Sequence, residues 1–122
     1  MRKEEPYILV VTRWESTVVY LEEVLYLERR LRKLAVITAE EILESNQKLA
    51  DIVPLLGENF IPILKGCYVN LDRVKRVKNR RVIFDCGLVQ ELGERPYIKL
   101  KIGHSVYHNT KLMNRRESLL KR

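Results

Sequence analysis

Cys67, Cys86, His104 and His108 are the residues whose types could hold a soft metal, since two thiolates and two imidazoles suit zinc. His104 and His108 have the i, i+4 spacing that one helix face would present. There is no close Cys pair, however, and zinc folds usually anchor on a tight knuckle. A small buried thiol is the default reading of each cysteine, and no metal or cofactor is expected. No Walker loop, His-Glu-x-x-His run, nucleophile elbow or dinucleotide fingerprint occurs, so catalysis is not expected either.

The cations offer different chemistry. Formal net charge is +7 over 122 residues, unevenly placed. Residues 1–61 hold 8 Lys/Arg against 11 Asp/Glu, and residues 62–122 hold 15 against 5. A basic half fits a polyanionic partner, because each Lys or Arg docked on a phosphate releases condensed counterions. A membrane surface, or plain solubility, would draw on the same charge. Within the acidic half, Arg29, Arg30, Arg32 and Lys33 form the one dense basic run. Glu22, Glu23, Glu40, Glu41 and Glu44 read as a solvated face that keeps its side of the domain off a polyanion.

Elements must position these charges, and the length suits one domain with a single core. No repeat, low-complexity stretch or Pro/Gly-rich linker divides the chain. Tyr7 to Arg13 reads as a strand. Over residues 18–37, Leu21, Val24, Leu27, Leu31 and Leu34 match a helical stripe, and periodicity alone predicts one long helix there. Both ends of that stretch nevertheless look like strands, with Arg29–Arg32 as a charged hairpin loop. Ser45 or Asn46 caps a predicted helix from about Gln47 to Leu56, with Pro54 making its last turn irregular. Short strands are expected at 60–63, 67–69, 74–77 and 82–84, with Asn79-Arg80-Arg81 as a turn. Tyr97 to Ile102 alternates apolar and basic residues and predicts a half-buried strand with a cationic face carrying Lys101. A short helix capped by Ser105 is expected over 105–114, then a mobile basic tail from Arg115. No apolar stretch approaches the roughly 20 residues of a membrane helix, and no signal peptide is evident. Free thiols in a reducing cytoplasm are therefore expected.

The segment from Phe60 to Val77, with Leu64-Lys65-Gly66-Cys67 leading into Val69-Asn70-Leu71, resembles the signature of LytTR DNA-binding domains. Val24-Leu25-Tyr26-Leu27-Glu28 is similar to the first core strand of that family, and Leu34 to Thr38 to the next. The resemblance covers roughly residues 15–112, with an extension over 1–14 and a basic tail over 113–122. It implies a mainly β fold, the LytTR-like elongated β-sheet fold with one or two short α-helices, and it replaces the long helix with two strands.

It also implies double-stranded DNA as partner, read by loops entering successive major grooves rather than by a recognition helix. The implied contacts are Arg29, Arg30, Arg32 and Lys33 in the first core loop, and Lys65 before the apolar run. The third set is Gly103-His104-Ser105 after the last strand, with Lys101 beside it. Arg can grip guanine O6 and N7 bidentately, whereas Lys is less directional. Leu64-Lys65 stands where the family often has His-Arg or His-Asn, and Gly103-His104 where it often has Ser-Arg. Asn70 is expected to pin the turn after its strand, and Tyr68 and Tyr97 to be core or half-buried.

The expected function is sequence-specific DNA binding as a bacterial transcription regulator, as a homodimer on paired promoter repeats. Most members carry an upstream receiver domain, for which this chain has no room, so control by abundance or a sequestering protein is expected. The alternative is a protein-interaction module that binds another regulator, its DNA contact vestigial.

Overall fold

Two apolar strands running antiparallel through the middle of the chain set the architecture. The structure is a computed structural model that describes residues 5–120, with side chains through Arg116. β1 (Tyr7–Val11) pairs with β2 (Ser16–Tyr20) as a hairpin. β3 (Val24–Arg30) and β4 (Lys33–Thr38) follow, then β5 (Ile42–Ser45) and the single turn α1 (Leu49–Ile52). β6 (Phe60–Leu64) and β7 (Cys67–Asn70) complete a five-stranded sheet of order β5-β4-β3-β7-β6. β8 (Val74–Lys78), β9 (Arg81–Phe84) and β10 (Val89–Glu91) form a three-stranded sheet. α2 (Glu94–Leu120) closes the chain.

The five-stranded sheet is covered on both faces. Leu34 and Val36 pack with Ile8, Val10 and Val19 of the hairpin and Ile52 of α1. Ala35 and Ile37, of opposite parity on β4, pack with Val82, Phe84 and Leu100 on the other side. A register shift in β3 between Val24 and Tyr26 places Leu25 and Tyr26 both in this second cluster. A strand buried on both faces is apolar at every position and loses its alternation. This explains why residues 18–37 match a helical stripe yet fold as strands, as the LytTR resemblance implies.

The helix expected from Gln47 is shorter and starts later. Lys48 precedes its first turn without a capping side chain. Ser45 Oγ instead accepts from the Gln47 amide at 3.1 Å, and Pro54 falls in a 3-10 turn, Val53–Leu55. The Asn79-Arg80 turn is present, both residues at positive φ (53° and 59°), the twist that joins tight hairpins.

The C-terminal third departs from expectation. Tyr97 to Ile102 is helix, not strand; Ser105 lies inside that helix and caps nothing; and the tail from Arg115 is helical through Leu120. The last two residues lie outside those described. Tyr97 N donates to Gly93 O at 3.0 Å, which starts the helix, and Pro96 occupies its first turn, where a missing N–H does no harm. Leu100 is fully buried, and Gly103 lets the helix approach β6: a Cβ there would stand 2.4 Å from Ile61 Cδ1.

Candidate nucleic-acid interface

The β3–β4 hairpin presents the first basic group. Arg29 pairs with Leu34 and Arg30 with Lys33, leaving Leu31 and Arg32 at the tip. Leu31 has φ of 55° and is 97 % exposed. A left-handed backbone is unfavourable for a leucine, and so is its full exposure at a loop tip. Sequence reasoning passed over it, counting it as part of the helical stripe. Arg30 Nε lies 2.9 Å from Glu28 Oε1, a hydrogen bond that raises the guanidinium's pKa further. Lys33 Nζ donates to Asn46 Oδ1 in the β5–α1 loop. That loop adds Lys48 to a depression shared with Arg29 and Arg32, a cation the sequence reading did not single out.

The β6–β7 turn lies against this hairpin. The Arg29 amide donates to Gly66 O at 2.7 Å, and Gly66 adopts φ of 85°. A Cβ on Gly66 would approach Arg29 Cβ to 3.2 Å, so glycine both makes the turn and lets the two loops touch. Lys65 is exposed between exposed Leu64 and buried Cys67. The structure therefore brings Arg29, Arg30, Arg32, Lys33 and Lys65 to one end of the sheet.

The third expected place is elsewhere. Since the last strand is β10, the loop after it is Leu92-Gly93, followed by Glu94 and Arg95. A small cavity lined by Glu28, Leu64, Cys67, Glu91 and Gly93 sets this junction beside the β6–β7 turn. The β8–β9 turn joins it, the Leu92 amide donating to Arg80 O at 2.8 Å. Arg80 and Arg81 stand 3.9 and 3.6 Å from Glu94 and Glu91, exposed pairs of little strength.

Gly103, His104 and Ser105 are not that loop. His104 Nε2 donates to Val74 O at 3.0 Å and His108 Nε2 to Leu71 O at 3.3 Å, their rings in edge contact at 4.6 Å. Burial chiefly, and His108 secondarily, lower the His104 pKa against the opposing hydrogen bond to Val74. Ser105 and Lys101 are exposed on the outer side of α2. Cys67 is buried and Cys86 exposed, both free, and burial pushes the Cys67 thiol up to about 12. Among the described residues no three His, Cys, Asp or Glu side chains cluster as metal ligands.

The opposite end of the sheets is acidic. Glu22 and Glu23 precede β3, Glu40 and Glu41 follow β4, and Asp72 and Asp85 flank β8 and β9. Arg73 bridges there, bonding Asp85 at 2.8 Å and Glu22 O at 3.0 Å. Asn70, fully buried, ties this end together. Its Nδ2 donates to Val24 O at 2.9 Å and Leu21 O at 3.4 Å. Its Oδ1 accepts from Asn59 Nδ2 at 2.8 Å and the Asp72 amide at 3.1 Å. The expectation that Asn70 pins the turn agrees with these bonds. Tyr68 and Tyr97 are half-buried, as expected. No helix among the described residues is long and apolar enough to cross a membrane.

Comparison with known proteins bears on this arrangement. The family model of the LytTR DNA-binding domain matches residues 15–113. The fold is similar to a solved LytTR DNA-binding domain of a response regulator from Bacillus cereus, with a TM-score of 0.59 at 21% identity. That match covers 70% of this chain and 84% of the other. No curated protein matches the chain. The family match spans β2 through β10 and most of α2, and on it the chain belongs to the LytTR DNA-binding domain family.

Proposed function

We propose that this chain is a transcription regulator that reads duplex DNA sequence-specifically through the loops at its basic end. The observation that carries the reading is the convergence there of the β3–β4 hairpin, the β6–β7 turn and the β10–α2 junction, with acidic residues gathered at the far end. Such a charge dipole orients the domain before contact, because the field attracts one end to phosphate and repels the other.

Arg29 and Arg32 are the candidates for bidentate contact with guanine, and Lys33 and Lys65 for phosphate or a less directional base contact. Arg30 joins them by exchanging Glu28 for DNA. Leu31, apolar and projecting among cations, is suited to a thymine methyl in the major groove. Lys48, Arg80 and Arg95 add phosphate contacts, and Lys101 is an outlying one. His104 leaves the reading set, because its Nε2–H is already engaged by Val74. Two copies on paired half-sites remain the expected stoichiometry.

The test is a salt titration of binding to labelled duplex. Each phosphate contact contributes about −0.9 to the slope of log K against log salt. Lys65→Ala is expected to weaken binding and reduce the slope by about that amount, and Glu40→Gln at the far end to change neither. Unchanged affinity in Lys65→Ala and Arg32→Ala together would remove the basic end from the interface.

A further inference from the structure

α2 has two apolar faces, and the fold uses only one. Leu100, Tyr107 and His108 turn toward the sheets, where Tyr107 Oη donates to Asp72 at 2.8 Å and His108 bonds Leu71 O. On the opposite side, Ile98, Ile102, Val106 and Met113 are 47 %, 59 %, 60 % and 64 % exposed. Their spacing, with Asn109 between the last two, is the 4-4-3-4 run of a helix-packing seam. From Leu112 to Arg116 every side chain is exposed, past the ion pair of Lys111 with Asp72. A helix of 27 residues is about 40 Å long, so its distal turns stand clear of the sheets.

Charge decides what fits this seam. Between Arg95 and Arg116 the helix carries six Lys or Arg and no acidic residue. Arg95, Lys99, Lys101 and Arg116 border or cap the apolar run. A second copy laid on it would set like charges against each other at the ends of the contact, where Arg95, Lys99 and Lys101 and then Lys111, Arg115 and Arg116 lie. An anionic membrane would satisfy the charge, but Asn109 interrupts the apolar run in its distal half, and Tyr97, at its proximal end, is the one interfacial aromatic lining it. A polar residue within an apolar seam is instead a device that fixes register between helices.

We propose that the outer face of α2 docks an amphipathic helix of a partner protein, with apolar residues facing Ile98, Ile102, Val106 and Met113 and carboxylates facing the bordering cations. This goes beyond DNA reading and does not depend on it: the helix starts at the basic end but carries its seam away from the loops.

The experiment uses the full chain and three labelled synthetic 18-residue peptides, read by fluorescence anisotropy. One places Leu at helical i, i+3, i+4, i+7 spacing with Glu on its flanks. The second shuffles that sequence at equal composition, and the third replaces Glu with Gln. Saturable binding of the first is expected, at least ten times tighter than either control. Ile102→Gln/Val106→Gln, with unchanged helical circular dichroism, is expected to lose that margin while its DNA affinity stays that of the parent. No binding, or equal binding of the shuffled peptide, overturns the proposal, since charge on the loops would then suffice. So does a parent that dimerises alone while the double variant is monomeric, which would assign the seam to a second copy. Variant-sensitive flotation with phosphatidylserine vesicles, without peptide binding, would assign it to a lipid surface and likewise overturn it. Absence of DNA binding in parent and variant alike would refute the DNA reading and leave the peptide result to stand on its own.

Discussion

Asn70→Ala tests whether the signature asparagine holds the fold rather than reading a base. Three of its bonds have good geometry, to Val24 O, Asn59 Nδ2 and the Asp72 amide at 2.8–3.1 Å, and the one to Leu21 O is long at 3.4 Å. A hydrogen bond contributes about 1 kcal/mol net, and a buried group left without a partner loses about 1–3 kcal/mol. Asn59 and Asp72 are partly exposed and can turn to water, whereas Val24 is fully buried. Asn70→Ala is therefore expected to destabilise by about 3 kcal/mol, read as a lower urea midpoint at unchanged m by circular dichroism. Asn70→Asp sharpens the test, because it keeps the acceptor but points a carboxylate at two carbonyl oxygens. Its folded pKa must rise above the unfolded value of about 3.9, so its stability deficit relative to the parent grows as pH rises from 4 to 7. At temperatures where Asn70→Ala remains folded, its DNA affinity is expected to match the parent. A loss below about 1 kcal/mol for the alanine variant, or a deficit independent of pH for the aspartate, would refute the reasoning.

Gly66→Ala forces a side chain into a left-handed backbone and against Arg29 Cβ, so a loss of about 1–2 kcal/mol and weaker DNA binding are expected, checked by urea unfolding and DNA titration. With the His104 pKa lowered below its ordinary 6.5, folding favours the neutral ring. The stability this gives is complete above pH 6.5 and declines as pH falls through the folded pKa, and His104→Gln is expected to flatten that part of a stability–pH profile. Thiol labelling of the native protein at pH 8 is expected to modify exposed Cys86 rapidly and Cys67 only on unfolding, because burial holds the Cys67 thiol near 12.

The middle sheet was legible only through the family pattern, for a physical reason. β3 and β4 are sandwiched between two layers, so the alternation that would reveal strands is absent and helix-like spacing is left. Loop chemistry was legible directly: Asn79-Arg80 in a tight turn and Pro54 at an irregular helix end follow from local conformational preference. α2 was misread because a helix with two apolar faces mimics alternation over a short window. Leu100 points inward while Ile98 and Ile102 point outward, with Lys99 and Lys101 between. Gly93-Glu94-Arg95-Pro96, a helix-start pattern with acid and proline in the first turn, was the available signal. Missing it displaced the loop after the last strand by about ten residues. The arginine hairpin and the turn carrying Lys65 fall in loops as expected, because their positions depend on strands the pattern located correctly. The exposure of Leu31 and the place of Lys48 beside Arg29 and Arg32 were not legible, since nothing local distinguishes an exposed loop leucine or a lone lysine.

The central claim is that the basic end reads sequence, and selection of bound sites from random duplex DNA tests it most directly. The account predicts enrichment of a motif, repeated at a fixed spacing if two copies bind, and its loss when Arg29 and Arg32 are both replaced by alanine. Retention of DNA with no motif enriched, or an unaltered motif in the double variant, would contradict it.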